Sequence, residues 1–153
     1  MPLRTQITDA MKNALRAKDE RTLATTRMII AKMRDLDIAA RPKGNAEGIG
    51  DDEIMAMLQG MIKQRRESIA LYEKGNRADL VQQESEEIAV IERFLPQQMD
   101  EAAISAAIDK IIAATAASSI KDMGKVMGEL KKAYTGQMDF AKAGALVKGR
   151  LAG

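Results

Sequence analysis

Leu95-Pro96-Gln97-Gln98 interrupts an otherwise helical pattern of apolar residues, and it decides how the chain is divided. Proline donates no backbone hydrogen bond, and its ring pushes Leu95 out of the helical region, so a helix arriving from the N-terminal side stops here. On either side, apolar positions recur every three or four residues. The chain's 25 alanines and 15 isoleucines supply them, while Val, Phe and Tyr are scarce. The pattern predicts an all-α protein: an N-terminal four-helix domain over residues 1–95 and a C-terminal three-helix domain over residues 96–153.

Moving back from Pro96, a fourth helix carries Leu80, Ile88, Ile91 and Leu95 on its buried face, with Asn76 as its cap. The third helix, with Ile54, Leu58, Met61, Ile62, Ile69 and Tyr72 inward, stops at Lys74-Gly75, where glycine is expected to take the left-handed conformation. Its start is marked by Gly50, by Glu53 at the third position, and by an Ile49 to Ile54 staple. Gly44-x-x-x-Gly48-x-Gly50 precedes it. No strand leads into that stretch and no Gly-Lys-Ser/Thr follows, so it reads as a linker and not as a phosphate loop. Before Arg41-Pro42-Lys43-Gly44, a second helix capped by Asp19 turns Leu23, Thr26, Ile30, Met33 and Leu36 inward. The first helix does so with Leu3, Ile7, Ala10, Met11, Ala14 and Leu15, ending near Lys18.

Beyond Pro96, Asp100 caps a fifth helix (Ile104, Ala107, Ile108, Ile111, Ile112), Ser119 a sixth with Asp122 three residues on, and Asp139 a seventh (Ala143, Leu146, Val147, Leu151).

The 153 residues contain no His, Cys or Trp. Those absences exclude Ser-His-Asp and Cys-His catalysis, thiolate or imidazole metal sites, disulfides and thiol redox chemistry. No metal and no cofactor is expected. Glu84, Glu86, Glu87 and Glu92 could hold Mg²⁺, but acidic residues along one helix are read as surface, paired with Lys63, Arg65 and Arg66 in solvated ion pairs. Met1-Pro2-Leu3-Arg4-Thr5-Gln6 lacks the apolar core of a signal peptide. The longest uncharged run is the ten residues Ile111 to Ile120, against the roughly 18 that a membrane span needs. A soluble, cytoplasmic protein with no membrane partner is the expectation.

Charge is uneven although 24 basic against 22 acidic side chains leave only +2. Residues 119–153 carry seven basic and three acidic side chains, +4 in all, which permits an anionic partner. Lys121, Lys125, Lys131, Lys132, Lys142, Lys148 and Arg150 are the candidate phosphate contacts, and Tyr134, with Phe140 nearby, is the candidate ring to stack on an unpaired base. The plainer account of these residues is a solvated helix end with two core aromatics. Gly124 and Gly128 stand one turn apart on the sixth helix, where glycine is costly. Close packing against a neighbouring helix is the expected reason; close approach of a nucleic-acid backbone is the alternative. The eleven methionines read mainly as core filler, with an exposed face for a partner protein as the lesser reading.

Several of these segments together resemble the YqeY-like (GatB/YqeY domain) family. The likeness is carried by Arg27-Met28-Ile29-Ile30-Ala31 with Asp37-Ile38, by Lys63-Gln64-Arg65-Arg66-Glu67-Ser68-Ile69 with Tyr72-Glu73, and by Arg77-x-Asp79-Leu80 with Glu84-x-x-Glu87. Leu95-Pro96-x-Gln98 follows, and Ser118-Ser119-x-Lys121-Asp122-Met123-Gly124-Lys125-Val126-Met127-Gly128 is the most specific motif. The resemblance implies an all-helical protein whose C-terminal domain is similar to the tail of the B subunit of the glutamine-dependent aspartyl/glutamyl-tRNA amidotransferase, a part associated with holding tRNA. It also implies a family-level link to carbon-nitrogen ligase activity with glutamine as amide donor. For that chemistry a glutaminase nucleophile and an ATP site are needed. Ser118-Ser119 with Lys121 or Lys125 is the one coincidence of residue types, without the glycine-rich loop, so no catalytic residue is assigned. Two functions remain: an accessory protein that binds tRNA or an aminoacyl-tRNA/amidotransferase complex, and a helical protein-protein adaptor that never touches RNA.

Overall fold

Short polar residues fix where several of the helices start in the computed structural model, which describes residues 1–152. In chain order the helices are α1 (Leu3–Ala17), α2 (Glu20–Ala40), α3 (Asp51–Lys74), α4 (Ala78–Glu92), α5 (Glu101–Thr115), α6 (Met123–Ala133) and α7 (Phe140–Ala152). Single 3₁₀ turns at Arg41–Lys43 and Ile120–Asp122 follow α2 and lead into α6. No strand occurs among the described residues, and the protein is all-α. The helices sort into two compact units, Met1–Leu95 and the residues from Pro96 onward, each with its own apolar core.

In the first unit, Asp19 caps α2 by accepting from the Thr22 N–H (3.2 Å) and hydroxyl (2.7 Å). The inward face of α2 is rotated from the expected one. Ile29 and Met33 are fully buried beside Thr22, Thr25 and Thr26, while Ile30 and Leu36 are only partly covered. The threonines tolerate this because their hydroxyls donate back along the helix, Thr25 to the Arg21 carbonyl (2.8 Å) and Thr26 to that of Thr22 (2.7 Å). At the α3–α4 turn the left-handed residue is Asn76 (φ 55°), not Gly75 (φ −87°), and Arg77 takes the capping position expected of Asn76. Asparagine is one of the few residues with a side chain that visits this region readily.

The largest departure is at residues 44–50. Far from being a linker, this loop is clamped by Arg4 and Asp37, which form a two-pronged ion pair (2.8 Å and 2.8 Å). Asp37 Oδ1 also accepts from the Ile49 N–H (2.9 Å), and Arg4 donates to the Ile49 carbonyl (3.2 Å). The Asn45 side chain braces both backbone groups of Gly48. Gly48 sits at φ 102°, and a Cβ there would lie 2.8 Å from Asp37 Oδ1 and 2.9 Å from Arg4 Nη2. The loop thereby seats Ile49 in the core beside Ile54, the anticipated staple.

In the second unit, Met99 donates its N–H to the Gln137 carbonyl (2.8 Å) and the Gln98 amide donates to that of Gly136 (2.6 Å), tying the leading segment to the α6–α7 turn. Asp100 caps α5 through the Ala103 N–H (2.7 Å), and Asp139 accepts from the Ala141 N–H (2.9 Å) at the start of α7. Asp122 accepts from the N–H groups of Ser118 (3.0 Å) and Ser119 (3.2 Å), completing a capping box with Ser119. Ile104, Ile108, Val126, Leu130, Met138, Ala143 and Val147 fill the core.

Candidate functional site

Val126 and Leu130 point α6 into its core, with Met123 and Met127 packed along the edge of that buried stripe. At 3.6 residues per turn the opposite face carries Gly124, Lys125, Gly128 and Lys132, flanked by Lys131 on one side and Glu129 on the other. All six are exposed, as is Lys121 in the preceding 3₁₀ turn. A Cβ added at Gly124 or Gly128 would meet nothing within 4 Å. Close helix packing, the expected reason for these glycines, is therefore ruled out by geometry. The glycine that does face a neighbouring helix is Gly144 of α7, whose Cβ position lies 3.8 Å from the terminal methyls of Met123 and Met127. Helical spacing carries that signal: Gly144 stands three residues before Val147 and seven before Leu151, on the buried stripe of α7, whereas the exposed Gly149 falls on the opposite face.

The structure gathers Lys121, Lys125, Lys131 and Lys132 on and around this face, and no carboxylate lies within ion-pairing distance of them among the described residues. Asp122 feels Lys125 across one helical turn. The hydrogen bonds from Ser118 and Ser119 hold its carboxyl below the usual range, with a smaller contribution from Lys125. Lys142 and Lys148 are exposed on α7. Arg150 is not available to a ligand in the same way: its guanidinium pairs with Asp109 (2.8 Å) and donates to the Ser105 carbonyl (2.9 Å) and hydroxyl. Tyr134 and Phe140 pack against the core, as the plainer reading of them had it. Ser118 and Ser119 donate their N–H groups to Asp122, and no hydrogen bond joins either to a lysine side chain among the described residues.

Charged residues in the first unit behave differently. Arg65, only 12% exposed, donates from Nε to Glu87 (3.0 Å) and from Nη1 to the Met61 carbonyl (3.2 Å), with Glu84 at 3.9 Å. Arg21 pairs with Glu86 (3.0 Å) and reaches Glu87 (3.8 Å). Pairs between Lys63, Arg65 or Arg66 and these glutamates were expected to be solvated; Glu87 and Arg65 are instead enclosed between α3 and α4, whereas Arg66–Glu92 (3.6 Å) fits the expectation. Burial, reinforced by the neighbouring Glu87, pushes the Glu84 carboxyl up. No group of three acidic side chains converges as a metal site among the described residues. An open groove of about 420 Å³ runs between α2 and α3, floored by Leu36, Met57, Gly60 and Met61, with Lys32 and Glu53 on its rim.

A family model described as Yqey-like protein matches residues 4–151, nearly the whole chain and every segment described above. The chain belongs to the YqeY-like family. Two curated relatives carry the name "Altered inheritance of mitochondria protein 41, mitochondrial". The one from Lachancea thermotolerans is 32% identical over 104 residues, covering 67% of this chain and 54% of the relative. That from Kluyveromyces lactis is 31% identical over 84 residues, covering 55% and 43%. This YqeY-like chain thus spans about half the length of the curated relatives it matches. Both are named as mitochondrial proteins, which overturns the plain cytoplasmic expectation. That expectation rested on the lack of an apolar secretory signal, a criterion blind to organelle routing, which uses basic amphipathic segments. No single described helix is long and apolar enough to cross a membrane.

Proposed function

We propose that this YqeY-like protein is a tRNA-handling accessory factor that holds its ligand on the outer face of α6 and has no active site of its own. One observation carries the reading: Gly124 and Gly128 lie open to solvent, framed by Lys121, Lys125, Lys131 and Lys132. Lysine ammonium groups neutralise phosphates regardless of sequence, and binding of that kind weakens as salt competes for the phosphates. The choice of tRNA as the ligand, and of an amidotransferase complex as the setting, comes from the resemblance that the sequence motifs of residues 96–153 bear to the tail of an amidotransferase B subunit. No carbon-nitrogen ligase step is proposed: Ser118-Ser119 lacks the glycine-rich loop of that chemistry, and Ser119 serves as a helix cap.

Filter retention of tRNA by the full chain tests this. With four phosphate contacts, affinity should fall on the order of 100-fold between 50 and 200 mM salt. Lys131→Glu with Lys132→Glu should lower the salt exponent by about two. Absence of tRNA binding at 50 mM salt would sink the reading. A second reading, a protein-protein adaptor, is favoured by the apolar α2–α3 groove. Partners captured from lysate that survive RNase treatment would support it.

A further inference from the structure

We infer that the outer face of α6 docks the phosphate backbone of double-helical RNA, with a strand running against Gly124 and Gly128, and does not read unpaired bases. The inference rests on the tRNA-handling reading and narrows it to one class of nucleic-acid surface.

Gly128 in the middle of α6 weakens the helix relative to alanine, Gly124 in its first turn does so to a lesser degree, and in open space no packing contact offsets either loss. Whatever requires the missing Cβ atoms approaches from outside the molecule. Gly124 and Gly128 are about 6 Å apart along the helix axis, so their absent side chains leave a shallow trough beside Lys125 and Lys132 in which a ligand can touch the helix backbone itself. The groups facing the trough are Lys121, Lys125, Lys131 and Lys132, with Glu129 on the flank and Asp122 at the end, its carboxylate already bonded to Ser118 and Ser119. The trough therefore suits an anion.

Which anion follows from what this unit lacks at its surface. Reading unpaired bases calls for exposed rings to stack on, or for the planar fork of an arginine. Tyr134 and Phe140 are both packed against the core, and Arg150, the one arginine beyond residue 95, is occupied by Ser105 and Asp109. Only ammonium point charges remain, spaced along a rigid helix. They match phosphates held at regular intervals by a duplex, whose bases are stacked away and whose shape is what proteins contact.

Anisotropy titration of the full chain with a blunt RNA duplex of arbitrary sequence, and with one of its strands alone, tests the proposal. The duplex should bind about tenfold more tightly than the single strand, the value of one phosphate contact at 50 mM salt. Gly124→Leu with Gly128→Leu fills the trough while improving helix propensity, so circular dichroism should show the fold intact. Duplex affinity should nonetheless drop about tenfold at 50 mM salt. Undiminished duplex binding by the leucine variant, or equal binding of the single strand, overturns the proposal, and so does displacement of the duplex by poly-glutamate at matched charge, which would indicate an acidic protein partner. If tRNA binds the wild type and the leucine variant equally, this inference fails and the tRNA-handling reading stands. If no RNA binds at low salt, both fall.

Discussion

The clasp at residues 44–50 and the outer face of α6 use the same residue types to opposite ends. In the clasp Arg4, Asp37 and Asn45 are all committed: Arg4 to Asp37 and Ile49, Asp37 to Ile49, Asn45 to Gly48, with Gly48 held where no Cβ fits. On α6 the glycines have space to spare, and the lysines have no carboxylate partner within ion-pairing distance among the described residues. A glycine or a charge kept where the fold demands it speaks of stability. One kept where the fold makes no demand speaks of something outside the chain.

The contrast can be broken experimentally, and each unit carries one of the two tyrosines, so Tyr134→Phe leaves Tyr72 to report on residues 1–95. The largest effect is expected from Arg65→Ala, which leaves Glu84 and Glu87 enclosed without their main counter-charge. It should cost about 3 kcal/mol in urea unfolding of the first unit. Gly48→Ala should follow at about 2 kcal/mol, from left-handed strain and displacement of the Arg4–Asp37 pair. By contrast, Gly128→Ala should stabilise the second unit by about 0.5–1 kcal/mol and Gly124→Ala, in the first turn of α6, by less, read by thermal unfolding with Tyr134 retained. If either alanine destabilises instead, the two regions do not differ in the way described.

The smallest effect concerns pH. The hydrogen bond from Arg4, aided by that from the Ile49 N–H, holds the Asp37 carboxyl below its ordinary value against a burial effect that acts upward. A depressed native pKa stabilises the fold above the unfolded value, near pH 4, and the contribution is lost as pH falls through the lowered native one. Asp37→Asn should flatten the stability of the first unit across that acid range. Arg4 is more than a third exposed, so solvent keeps the effect modest.

Local signals in the sequence were enough to find the helices: Asp19, Asp100 and Asp139 each bond an N–H within three residues, and the apolar period does the rest. What stayed hidden depended on partners far along the chain. Arg4 meets Asp37 across 33 residues and Arg150 meets Ser105 across 45, so a loop looked like a linker and a structural arginine looked like a phosphate ligand. The rotated face of α2 was obscured because threonine counts as polar until its hydroxyl is seen donating to its own helix. At the candidate site, the lysines were legible as a basic cluster, but whether Gly124 and Gly128 faced a neighbour or open space could not be read from spacing alone.

The bonds from Met99 to Gln137 and from Gln98 to Gly136 make residues 96–99 part of the second unit's own wiring. The unit therefore brings its leader with it, as a cassette whose natural cut lies before Pro96. A graft beginning at Asp100 would keep all three helices but expose the carbonyls of the α6–α7 turn, whereas one beginning at Pro96 would be transplanted whole.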